Sequence, residues 1–135
     1  MHKLSSIGII ASTLLSAPVL FSHPAVADSE TTPVLKQQLQ GLDGMEANIV
    51  LFNVEPGFET ERHIHPGHVF VYVLEGEIEV AVEGEEPVRA SAGEAFYELP
   101  NKPMVGRNVS STEGARFIVF QVGEAGKELM IAQPD

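Results

Sequence analysis

From Gly41 onward, glycine or proline interrupts the chain at short intervals, and no segment between them carries a helical period. Glycine admits turn conformations and proline cannot continue a helix or donate to a sheet ladder, so each tends to end the element before it. What remains reads as a series of short strands. Met45 to Val54 is the clearest, apolar on both faces in its second half. Val69 to Leu74 is a dense apolar run. Glu77 to Glu83 largely alternates acid and apolar, with Ile78, Val80 and Val82 expected inward. Val88 to Ala90, Ala95 to Leu99, Met104 to Val109 and Ala115 to Val122 follow, and Val34 to Leu39 is a candidate first strand. Regularly spaced short strands with Gly/Pro turns predict an all-β chain, one barrel or sandwich domain over residues 34–135. Residues 28–33 are expected to form a linker or arm.

Residues 1–27 have a different composition. Lys3 is followed by a mostly apolar segment, Leu4 to Ser22, and by Ala25-Val26-Ala27 ahead of the polar run Asp28 to Thr32. A positive end, an apolar middle and an A-x-A site describe a secretory signal peptide. Pro18 and several serines interrupt the apolar part, which argues against a stable membrane anchor. The expected mature chain starts at Asp28, has 108 residues and is periplasmic or secreted. It contains no cysteine, so disulfides, thiolate metal sites and cysteine nucleophiles are excluded. Seven Lys+Arg against nineteen Asp+Glu give it a net charge of −12 with neutral histidines, which argues against nucleic acid and anionic lipid as partners.

Every histidine of that mature chain falls in one stretch, His63-Ile64-His65-Pro66-Gly67-His68. On a strand, residues two apart face the same side, so His63 and His65 can reach one ion. Neutral imidazole is a common ligand for zinc, copper, iron and nickel. The alternative for any one of these histidines is a surface or loop role, and His68, out of parity, fits that better. Glu61 shares parity with the pair and is a candidate carboxylate, although a solvated loop glutamate is the simpler reading. Tyr72 and Tyr97 are read as core aromatics, or as groups lining the barrel. Asn108-Val109-Ser110 matches the glycosylation acceptor pattern, a weak three-letter signal. No Ser-His-Asp order, nucleophile elbow or phosphate-cradling Gly-rich loop is visible.

The histidine stretch resembles the first signature motif of the cupin family. Gly57 stands six before His63, His65 follows, and Gly76 stands at the motif's closing glycine. Gly93 to Asn108 resembles the second motif with its spacing intact. The resemblance implies a small cupin-like β-barrel or jelly roll with a metal at its centre, and a possible homodimer, with Val34–Leu39 and Glu128–Ala132 as candidate edges. Two ligand positions depart from the family. Val69 stands where the family has a glutamate, and Met104 where it has its last histidine.

These departures shape the chemistry. Losing the carboxylate weakens a two-histidine, one-carboxylate iron site and a hard-ion manganese site. A thioether suits Cu(I). The resulting expectation is a single metal ion, copper favoured and iron, manganese or zinc possible, bound by His63, His65 and Met104 for copper handling or one-electron chemistry. Met104 as an apolar gap-filler is the competing reading. Two alternatives accompany it: a metal-dependent dioxygenase acting on a small organic substrate, and a metal-free barrel that binds an organic ligand or a protein.

Overall fold

The computed structural model describes residues 27–134, and the expected signal peptide lies almost wholly outside them. All ten elements are strands: β1 (Ser29–Gln38), β2 (Met45–Val54), β3 (His63–Ile64), β4 (His68–Glu75), β5 (Glu77–Val82), β6 (Val88–Ser91), β7 (Ala95–Glu98), β8 (Met104–Arg107), β9 (Ala115–Glu124) and β10 (Ile131–Ala132). They form two five-stranded antiparallel sheets, ordered β1-β2-β9-β4-β7 and β10-β3-β8-β5-β6.

The core lies between the sheets and draws on both. Val69, Val71 and Val73 of β4 meet Ile78 and Val80 of β5, with Val54, Ala90, Met104, Ala115 and Phe117 around them. Alternate residues of β4 supply that face, and each fully buried valine contributes roughly 1.5–2 kcal/mol. Phe52 and Phe117, cross-strand partners on β2 and β9, stack at 5.0 Å between ring centroids.

Three expectations are revised. β1 begins at Ser29, so residues 29–33 are strand paired to β2 and not a free linker. Pro33 is tolerated because β1 is an edge strand, and the ladder shifts register between Pro33 and Leu35. Tyr72 and Tyr97 line neither barrel nor core. Both lie on the outer sheet face beside Phe70 and Phe120, about half exposed, because outward parity in β4 falls on His68, Phe70 and Tyr72. Glu79, expected on the wet face of β5, is buried, and Arg89 at 2.7 Å and Arg107 at 3.5 Å compensate its charge.

The turns follow the glycines. Gly76 joins β4 to β5 with φ +76, and an added Cβ there would meet the Gly114 carbonyl oxygen at 2.7 Å. Asn108, at the end of the second motif, is buried; its amide donates to the Glu55 and Glu113 carbonyls at 3.1 and 2.8 Å.

Candidate metal centre

His63 is cross-strand partner to Met104, so β3 and β8 place the two residues opposite each other on one face of the sheet. His65 follows two residues later, just beyond β3. The His63 and His65 rings stand edge to face with centroids 5.0 Å apart. All three residues are buried, at 4%, 8% and 2% exposure for His63, His65 and Met104. They line one cavity of about 60 Å³, whose other walls include Phe58, Phe96 and Phe117.

The hydrogen bonds settle which ring nitrogens are free. The Nδ1 of His63 lies 2.8 Å from the Glu61 carbonyl oxygen. The Nδ1 of His65 lies 2.6 Å from the Leu129 carbonyl oxygen and 3.1 Å from Gln121 Oε1. A carbonyl only accepts, so each Nδ1 carries the proton and donates. Each Nε2 is therefore a bare lone pair, the arrangement in which metal-bound histidines are held. Burial pushes both imidazoles below their ordinary pKa, which keeps them neutral and able to ligate.

A fourth residue belongs here that sequence reasoning passed over. Glu98 on β7 is 6% exposed and lines the same cavity. It is the cross-strand partner of Val69, the position where the first motif lacks its carboxylate. Its Oε2 lies 3.4 Å from His65 Nε2, and burial pushes its pKa up to about 7. The available signal was an acid at an inward position of a short strand, between Phe96 and the motif's departures at Leu99 and Asn101.

The other candidates lie elsewhere. His68 opens β4 on the outer face, exposed, with Nδ1 against the Tyr97 hydroxyl. The Glu61 side chain is exposed, and that residue serves the site through its backbone carbonyl. Among the described residues, no three His, Asp or Glu side chains close on one point as a ready-made shell. His63, His65, Met104 and Glu98 all line the cavity. Two imidazoles and a thioether are donor types that copper accepts, but the described residues do not form a complete metal shell.

The sequence profile of the Cupin domain family matches residues 50–121, more than half of the chain. The chain belongs to the cupin family. A conserved protein with a double-stranded β-helix domain from Klebsiella pneumoniae superposes on this cupin with a TM-score of 0.60 at 19% identity, covering 84% of this chain and 90% of that one. A cupin-like protein from Thermotoga maritima gives 0.58 at 17%, covering 73% and 77%. A DMSP lyase from Ruegeria pomeroyi gives 0.55 at 22%, covering 68% of this cupin but only 44% of the lyase. At such identities the likeness is one of fold. No curated protein matches the sequence.

Proposed function

We propose that the chain is an exported cupin that binds one copper ion through His63, His65 and Met104. The observation that carries this reading is the pairing of His63 with Met104 across β3 and β8, near His65, with each imidazole Nδ1 held on a backbone carbonyl. The chain's own residues present two neutral imidazoles and a thioether in an apolar pocket, a donor set suited to Cu(I). Copper so held is either cargo in copper handling or a source of one-electron chemistry. The composition of residues 1–27 supports export. Pairing of two copies belongs to the same proposal, through the candidate edges Val34–Leu39 and Glu128–Ala132, as β1 and β10 stand at the ends of their sheets. Light scattering of the purified chain should read twice the monomer mass, and a monomer mass removes that part.

The test is metal content of the mature protein recovered from the periplasmic fraction, followed by Cu(I) titration of the metal-free form. One copper per chain, lost in Met104→Ala, supports the reading. Stoichiometric iron, manganese or zinc in its place sinks it. A second reading, a metal-dependent dioxygenase acting on a small organic substrate, is favoured by the apolar cavity that adjoins the histidines, walled by Phe58, Phe96 and Phe117. Oxygen uptake with small aromatic and organic acids tests it, and no uptake across such a set counts against it.

A further inference from the structure

The two sheets differ in where they carry charge. Across β5, β6 and β8, Glu77, Glu79, Arg89 and Arg107 form ion pairs, as expected of an antiparallel sheet with one wet face. The other sheet does not follow that pattern. Its register sets Leu35, Ile49, Phe120, Phe70 and Tyr97 side by side in one row across all five strands. The row lies on the outer face, because the neighbouring residues Val71 and Val119 take the opposite parity into the core. The flanking rows, Ala47–Val122–His68 and Leu51–Ile118–Tyr72, also hold no Asp, Glu, Lys or Arg. Charge returns at the rim, where Glu75 pairs with Arg116 and Glu124 with Lys127. The Phe70 ring lies 5.1 Å from Tyr97 and 6.0 Å from Phe120 between centroids, so the patch is continuous. Phe70 and Tyr72 are 46% exposed, Tyr97 45% and Phe120 36%.

An aromatic, uncharged centre inside a charged rim is the anatomy of a protein interface. Five strands at about 4.8 Å and six residues at about 3.4 Å give a footprint of roughly 500 Å², a size at which apolar patches mark interaction sites. Area, shape and charge select a second copy as the occupant. Two such faces joined bury about 1,000 Å², where specific interfaces begin. A twisted sheet is matched in shape by a sheet of the same twist, and two of them pack at about 10 Å. A mature chain of net charge −12 repels its own copies, and this face is where no charge opposes contact. The backbone edges offer less. β1 shifts register after Pro33, and β10 has two residues.

We propose that two copies pair face to face through the β1-β2-β9-β4-β7 sheet, with Phe70 and Phe120 at the centre. This rests on the pairing of copies proposed above and narrows it to one surface: β1 enters through the Leu35 side chain, and β10, on the other sheet, stays outside.

Tyr72 and Tyr97 are the two tyrosines of the chain, which has no tryptophan, and both lie on this face. Tyrosine fluorescence therefore reports the interface in the unaltered protein. The experiment follows the mature chain by sedimentation over a range of concentrations, with acrylamide quenching of tyrosine at each. Phe70→Lys, Phe120→Lys and Val88→Lys are run beside it, and circular dichroism with thermal unfolding reports that each folds. The wild type should be a dimer whose tyrosines are quenched more slowly than those of the diluted monomer. Phe70→Lys and Phe120→Lys should each weaken pairing at least about thirtyfold, the effect of a hot-spot substitution. Val88 is as exposed, at 45%, but lies on β6 of the other sheet, so Val88→Lys should pair as the wild type does. A dimer whose tyrosines stay as open as in the monomer overturns the face and leaves the pairing standing, whether or not the variants fold. So do folded Phe70 and Phe120 variants that pair unchanged, or an equal loss in Val88→Lys. A wild type that remains monomeric overturns the pairing and this surface with it.

Discussion

At the scale of single residues, Glu98 gives the metal-free protein a pH signature. Its pKa rises from 4.5 to about 7 because burial penalises the carboxylate. Between those values the folded chain keeps a proton that the unfolded chain releases, so stability falls as pH rises through the window, by about 3 kcal/mol in all. Glu98→Gln removes that loss. Urea unfolding in the presence of chelator should find the variant more stable by up to about 3 kcal/mol at pH 8 and little changed at pH 4; an equal change at both contradicts the assignment. His63 and His65 act in the opposite sense. Their folded pKa values are lowered, so their contribution is fully present above about 6.5 and is lost as pH falls below it. Asn108 carries a different burden. Asn108→Ala strands the Glu55 and Glu113 carbonyls that its amide now satisfies, and should cost about 3 kcal/mol in the same assay. A cost under about 0.5 kcal/mol would mean that water replaces the amide.

At the scale of elements, the corner between β3 and β4 is the tightest point near the site. An added Cβ on Gly67 would lie 2.5 Å from the Val122 carbonyl oxygen and 3.1 Å from the Gly123 Cα, both backbone. Neither can move without shifting β9, so Gly67→Ala should destabilise by roughly 1–3 kcal/mol and weaken metal binding by displacing His65. Gly57, on the other side of the histidines, has open space around it and only its φ of +73 to defend. Gly57→Ala should cost about 1 kcal/mol and leave metal affinity unchanged. Thermal unfolding and metal titration of the pair distinguish close packing from backbone strain; similar losses of metal affinity in both count against the corner. Parity was the part of the elements least legible in sequence. A run such as Val69 to Leu74 is apolar at every position, so it does not say which side faces the core. Pairing with β7 and β9 decides that Val69, Val71 and Val73 go in, and that Phe70 and Tyr72 go out.

For the whole molecule, metal binding should couple to folding, because the donors come from β3, β8 and the chain just after β3, which only the closed barrel brings together. An ion that binds only the folded state, at a hundred times its dissociation constant, adds about 2.7 kcal/mol. For a domain of this size that raises Tm by roughly ten degrees or more. Calorimetry with and without Cu(I) should show that rise in the wild type and its loss in His63→Ala. A Tm indifferent to copper would remove the link between the site and the fold. The all-β class, most strand positions and the His63–His65 pair were determined by sequence, because turn residues and side-chain periodicity act locally and need no knowledge of the partner strand. The tertiary structure alone decided that Met104 sits across from His63, that each Nδ1 is spent on a carbonyl, and that Glu98 stands beside His65. Those facts depend on strand register between segments dozens of residues apart, where a slip of one residue would turn each side chain to the other face.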